Sequence, residues 1–337
     1  MTNSASSHKR VTRSDVARYA GVSTAVVSYV VNEGPRPVAA ATAERVRNAI
    51  RVLGYRPNVS AQALRTGTTR LLGFIFPEID NPLWAEFALA VGGAAAKRGF
   101  DLILANSEGD ATVERQHILN LAARQVDGII ITSVLARPDV AALPNTGIPT
   151  ILLNTFREVP AFNSVGVDAF QGAYEGVQHL IGHGHTTVGL IIGGGGGADI
   201  ELREAAWLQA TRDAGLPDGP IGRDSFSREG GYRAGLRLFA GSSRPSAVFV
   251  SSDLQAIGLY RALYELGLSV PGDVAVVAFD GTKESEFTNP QLTVVQQPVE
   301  EMAATAIEQV LDTESVHAPR RWVSPATLVI RQSCGCR

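Results

Sequence analysis

The sequence is poor in cysteine: two in 337 residues, Cys334 and Cys336, both in the last four positions. That is too few for a disulfide framework. A CxC pair with no other cysteine also falls short of a metal site, so inert thiols in a reducing compartment are expected. Long apolar runs are missing too. No stretch of about 18 apolar residues suggests a membrane span. The opening MTNSASSHKR has no apolar core, so no secretory signal is predicted and residues 1–8 read as a disordered tail. A cytoplasmic protein is expected. Catalytic signatures are absent as well: there is no HExxH, no GxSxG and no Ser/His/Asp set at motif spacing. The run Gly193–Gly197 lacks a P-loop lysine and the acidic partner of a dinucleotide site. His179, His183 and His185 straddle a helix end and read as a turn. Neither an enzyme, a cofactor nor a metal is expected.

What is present is an ordinary globular composition, 45% apolar and 19% charged, at a length that suits two or three domains. The net charge of −3 is unevenly placed. Residues 1–70 carry eleven Lys and Arg against three Asp and Glu, a net of +8, which leaves −11 for the rest. A basic head on an acidic body is the footprint of phosphate contact by the head.

Within that head, residues 12–32 read TRSDVARYAGVSTAVVSYVVN. Thr12 and Asp15 have capping-box spacing. Val16, Ala17 and Ala20 share one face, and Gly21 permits a turn. Ser23 is a natural N-cap for a second helix, in which Val27, Val30 and Val31 face inward. Thr24, Ala25, Ser28 and Tyr29 fall on the opposite face, free to enter a DNA major groove. A third helix fits 40–53, with Val46, Ile50 and Leu53 on one side and Gly54 closing it.

These segments resemble the LacI/GalR family of bacterial transcription regulators. The matching residues are DVARYAGVS at 15–23, VSYVVN at 27–32, GYRPN at 54–58 and AQAL at 61–64. The resemblance implies a helix-turn-helix head over 9–57, a hinge over 58–70, and a homodimer on a pseudo-palindromic operator. In that reading Thr24, Ala25 and Tyr29 meet base edges, while Ser23, Ser28, Asn32 and nearby arginines hold phosphates. Thr12, Tyr55, Asn58 and Ala61 complete the DNA-binding set. Leu64 would wedge into the minor groove; the alternative is a linker residue packed on the body. The head departs from the family pattern at Val26, Tyr29 and Ala39. Tyr29 stands where arginine is common and cannot make the bidentate pair with guanine. Ala39 replaces a capping serine.

From Leu71 on, short β-branched runs alternate with helical stretches. Strands are expected at 71–77, 101–107, 127–133, 149–154, 187–193, 246–252, 274–281 and 292–298. Helices are expected at 83–98, 112–124, 170–183, 201–214, 229–240 and 253–266. That is the βαβ signature of an α/β protein with doubly wound parallel sheets. The resemblance implies a two-lobed body like that of periplasmic sugar-binding proteins, with an N-lobe over 71–166 and 298–322. The C-lobe would hold 167–297 and 323–337.

Ligands of open α/β sheets sit at the carboxyl ends of strands. There the sequence offers Asp80, Trp84, Asn154, Arg203, Asp253, Asp280 and Gln297. The resemblance places Trp84, Arg203 and Asp280 at effector positions, with Asn154 and Asp253 beside them. An aromatic plate with carboxylates, amides and one arginine suits a sugar. A purine or nucleoside is the alternative effector, and a pure solute-binding protein the alternative function. Each side chain also has a plainer reading: Trp84 as core, Asp280 as a turn cap, Arg203 as a surface ion pair. Where the family carries a second Asp after Asp280, this chain has Gly281, which leaves that turn's geometry open.

Overall fold

The apolar stripes of residues 13–53 close on one another as three helices, α1 (Arg13–Ala20), α2 (Thr24–Val31) and α3 (Ala40–Leu53). They are seen in a computed structural model, which describes residues 11–31, 37–56, 63, 67–132, 146–156, 159, 162–194, 201–241, 244–312 and 318–336. The chain divides after Thr69 into two compact units.

In the first unit the capping box forms as spaced: Thr12 Oγ1 accepts from Asp15 N–H, and Asp15 accepts from Thr12 N–H. Gly21, in left-handed backbone, ends α1. Val16, Val27, Val46 and Ala49 are fully buried, so the three helices enclose a small core. Val30 and Val31 only flank it. The inward stripe of α3 runs through Ala43, Val46 and Ala49, with Ile50 and Leu53 at its edge. No side chain caps α3 at Ala39, so its first N–H groups go without the hydroxyl a serine would provide.

The second unit alternates strands and helices. First come β1 (Leu71–Phe76), α4 (Pro82–Lys97), β2 (Asp101–Asn106), α5 (Ala111–Ala123), β3 (Gly128–Ile131), β4 (Thr150–Leu153) and β5 (Asn163–Val167). Next are α6 (Ala169–Gly182), β6 (Val188–Gly193), α7 (Leu202–Asp213), β7 (Ile221–Asp224), α8 (Arg228–Phe239), β8 (Ala247–Val250), α9 (Asp253–Glu265) and β9 (Ala275–Asp280). Last are β10 (Thr293–Gln296), α10 (Val299–Leu311), β11 (Arg321–Ser324) and β12 (Thr327–Val329).

They build two six-stranded sheets, ordered β11-β5-β4-β3-β1-β2 and β12-β10-β9-β8-β6-β7. Every pairing is parallel except β10 with β12. The central strands β3, β6, β8 and β9 are buried throughout, as strands covered by helices on both faces must be. Both sheets repeat one winding, in which the second strand flanks the first and the third lies on the first strand's other side. Each therefore has a switch point, between β1 and β3 and between β6 and β8, where adjacent connections diverge and open a crevice.

The chain crosses between the sheets three times: after Val167, between Gln296 and Arg321, and between Ser324 and Thr327. The last crossing falls two residues later than the sequence boundary at 322/323. Arg321–Ser324 is held in the first sheet by its pairing with Ser164–Val167.

Candidate functional site

In the head, Thr12, Ser23, Thr24 and Ala25 are exposed, and Ser28 and Tyr29 are half-buried. Ser23 Oγ accepts from Val26 N–H at 3.3 Å, the cap expected at the start of α2. Arg13, Arg18, Arg45, Arg47, Arg51 and Arg56 are all exposed. Only Val27 of α2 is fully buried, so the opening turn of that helix presents small polar side chains on a head rich in exposed cations. Tyr55, also expected at the DNA, is 9% exposed and belongs to the head core. Asn32, Asn58, Ala61 and Leu64 lie outside the described residues.

In the body, the carboxyl ends of the strands gather a buried polar set. Arg203, 5% exposed at the start of α7, donates from Nε to Glu201 Oε1 at 2.8 Å and from Nη1 to the Ser251 carbonyl. Its guanidinium lies 4.9, 5.2 and 5.4 Å from the ring centroids of Phe156, Phe226 and Phe279. A desolvated cation over aromatic faces is held by the rings' quadrupoles.

Asp280 ends β9, 6% exposed, and accepts from Gln297 Nε2 at 2.9 Å. Burial pushes its carboxyl up to about 7, although the Arg203 charge and the Gln297 bond pull it down. Asp253, 2% exposed, takes Thr282 N–H and Oγ1–H on Oδ2, at 2.6 and 2.9 Å. Burial and the Asp280 charge raise its pKa also. Asn154 follows β4 in left-handed backbone.

Three oxygens of this set are buried without a hydrogen-bond partner among the described residues: Asn154 Oδ1, Asp253 Oδ1 and Gln297 Oε1. Buried acceptors left unpaired are costly, at about 1–3 kcal/mol each. Orphan buried oxygens occur elsewhere too, as at Asn106 and Ser164, but these three share the strand ends with Arg203 and Asp280. The two lobes meet around it: Phe156 comes from the first, and Glu86 Oε1 on α4 accepts Lys283 N–H from the second at 2.8 Å.

Two further residues were expected at this site. Trp84, expected as the aromatic plate, is 6% exposed, stacks on Phe87 at 6.0 Å and belongs to the main core. The rings that stand over the guanidinium are Phe156, Phe226 and Phe279. Their signal was available, since each lies within two residues of a strand end or a strand-end polar residue. Asp80 does not join the buried set; it is exposed between β1 and α4.

Gly281 explains its own departure. Its φ is +75°, and a Cβ there would lie 2.5 Å from Gln296 Cα. Gly281→Asp is therefore expected to destabilise the body, by about 1–3 kcal/mol for the backbone strain alone. The steric overlap adds to that cost. Urea denaturation checks this: an unchanged midpoint would mean that the turn accepts a side chain after all.

Comparison with known proteins agrees with both units. The model of bacterial regulatory proteins of the lacI family matches residues 12–58, and that of a periplasmic binding protein-like domain matches 177–334. Catabolite control protein A of Priestia megaterium is 32% identical over 326 residues, which cover 92% of this chain and 97% of that protein. The ribose operon repressor of Escherichia coli K12 is 33% identical over 303 residues, 88% of this chain and 91% of its own. A crystal structure of the lac repressor dimer bound to operator and the anti-inducer ONPF superposes with a TM-score of 0.85 at 28% identity. It covers 97% of this chain and 99% of that one. With its helix-turn-helix head, its doubly wound body and relatives matched nearly end to end, this chain belongs to the lacI family of bacterial regulatory proteins.

Proposed function

We propose that the protein is a transcriptional repressor that binds a pseudo-palindromic operator as a homodimer and is controlled by a polyhydroxylated ligand, a sugar, between the lobes of its body. The observation that carries the ligand class is the set of three buried, unpaired polar oxygens at the strand ends where Arg203 is also held. A sugar brings several O–H donors to such a set and rests its apolar face on aromatic rings. A nucleoside, with ring N–H and ribose O–H donors, is the second reading, and a ligand screen separates the two.

Thr24, Ala25 and Tyr29 read base edges, and Ser23, Ser28 and the surrounding arginines hold phosphates. No enzymatic role is assigned: the relatives above are named as regulators, and the cleft polar groups are bound to one another rather than arranged as nucleophile and base. Among the described residues no helix is long and apolar enough to cross a membrane. The reading places the protein in the cytoplasm at the nucleoid. For the dimer, Leu89 on α4 stands 76% exposed. It borders a groove lined by Ala90, Gly93, Ala94 and Ile307 and also by Glu86, Lys97, Arg98, Lys283 and Glu300, a mixed surface on which a second copy would find both apolar and charged partners.

Control follows from linkage. A sugar that binds the free and operator-bound forms unequally shifts operator affinity, and operator shifts sugar affinity by the same factor. A sugar that binds both equally changes nothing.

The test is fluorescence anisotropy with genomic operator fragments over a salt series. Selective binding by a dimer is expected, with log affinity falling linearly against log salt as phosphate counterions are released. Binding that ignores sequence at every salt concentration would reject the reading.

A further inference from the structure

Two residue pairs that mean little alone come together on the C-lobe. His179 lies in the last turn of α6 and His183 caps it. Four residues apart on a helix, they share one face, with ring centroids 4.8 Å apart. The chain's last turn brings Cys334 and Cys336 against them. Cys336 Sγ lies 3.2 Å from His183 Nε2 and 3.8 Å from His179 Nε2. One ligating atom from each of the four residues lies within 4.8 Å of every other.

The approach is fixed by backbone. Ser333 N–H donates to Gln291 O at 3.0 Å, and Val276 N–H donates to Ser333 O at 2.9 Å. Ser333 Oγ accepts from Thr293 N–H at 2.8 Å and donates to Val276 O at 2.6 Å. The tail is thereby tied to β9 and β10. Gly335, at φ +93°, then turns the chain between the two cysteines.

We propose that His179, His183, Cys334 and Cys336 form a structural site for a borderline-soft transition metal ion, Zn2+ foremost. The donor set is two thiolates and two imidazoles with no carboxylate. That suits Zn2+ and excludes the hard cations Mg2+ and Ca2+. In a tetrahedral Zn2+ site, bond lengths of about 2.3 Å to sulfur and about 2.0–2.1 Å to nitrogen set the ligand atoms roughly 3.3–3.8 Å apart. The two Cys336–His distances already bracket that range, and the widest separation needs to close by about 1 Å. Four protein ligands fill the tetrahedron, so the ion is a staple and not a catalyst. The negative end of the α6 dipole favours a cation there. Cys334 is buried while His183 is exposed, so the site has an inner wall and a solvent entrance. Binding would displace the two thiol protons to solvent and pin the chain's last turn to α6. The site involves neither the DNA-reading face nor the cleft, so it does not depend on the proposed function.

The experiment uses the full chain, reduced and stripped by chelator, then titrated with Zn2+ or Co2+. One Zn2+ per chain by elemental analysis is expected, with the visible bands of tetrahedral Co2+ and a thiolate charge-transfer band. Bound Zn2+ should shield both thiols from alkylation and raise the melting temperature by mass action. His183→Ala and Cys336→Ser should each weaken binding by about 100-fold or more, because each deletes one of four ligands. Operator binding should survive in both, which separates lost metal from lost fold. Thiols that alkylate equally fast with and without Zn2+ would overturn the proposal. So would a Cys334–Cys336 disulfide that persists in reductant, or undiminished binding in both variants.

Discussion

Arg203→Ala is expected to abolish the response to a cleft ligand while leaving operator binding intact. Among the described residues Arg203 is the one cation in the buried polar set at these strand ends, and it is held from two directions. Glu201 and the Ser251 carbonyl fix Nε and Nη1. Phe156, Phe226 and Phe279 surround the guanidinium. Nη2 makes no hydrogen bond among the described residues, so the fork keeps donors for a ligand oxygen. A hydrogen bond from a charged group to a neutral ligand contributes about 1.5–3 kcal/mol, and at about 1.4 kcal/mol per decade this is a loss of roughly 10- to 100-fold in ligand affinity. Arg203→Lys keeps the charge but not the planar fork and should recover only part of it. The measurement is a thermal-shift screen against sugars, sugar phosphates and nucleosides, followed by titration of any hit against both variants. A sugar that binds Arg203→Ala as tightly as the parent would remove the cleft as its site. A nucleoside hit would keep the cleft but turn the phenylalanine rings from sugar-stacking to base-stacking surfaces.

The helices and strands expected in the body all appear, with ends that differ from the expected ones by a few residues at most. They were legible because a strand buried on both faces is a continuous apolar run, as in GIII at β3 or AVFV at β8. What was not expected includes the interior strand β5 and the helix α10, as well as strands at the margins of the sheets. β7 is IGRD and β11 is RWVS, polar sequences made into strands by their pairing with β6 and β5. Their backbones extend because a neighbour offers hydrogen bonds, not because their side chains demand it.

The cleft divides in the same way. Its polar residues could be placed by their positions after strands, and Arg203, Asp253, Asp280, Asn154 and Gln297 do stand at the strand ends. Its aromatic lining had a positional signal too, since Phe156, Phe226 and Phe279 lie at or beside strand ends, but Trp84 sits on a helix whose inner face is core, and sequence does not say which way a helix rolls. The His/Cys cluster was invisible for a different reason. Each pair is too small to signal alone, and only the return of the C-terminal turn to α6 unites them.

The buried carboxylates give the second large effect, a stability that falls as pH rises. Asp280 is pushed up to about 7 from an ordinary 3.8, first by burial. Between those values the unfolded chain has lost this proton while the native state still holds it. By linkage the native state is penalised across that window, by up to about 1.4 kcal/mol for each pH unit crossed. Asp253, also raised, acts with the same sign. Two half-buried histidines oppose them. Burial lowers the pKa of His179 and His185, so those groups cost stability as pH falls through the usual imidazole range. Asp280→Asn isolates the carboxylate: the ligand-free parent should lose stability relative to the variant from pH 5 to pH 7.5. Parallel melting curves for the two proteins across that range would show that Asp280 is already ionised in the native cleft. A sugar hydroxyl hydrogen-bonds an ionised carboxylate more strongly than a protonated one. Binding near pH 6 should therefore expel a proton, read as a dependence of the calorimetric heat on the buffer's ionisation enthalpy. The same cleft that holds its carboxyl neutral when empty would be charged when filled, with Arg203 beside it to carry the difference.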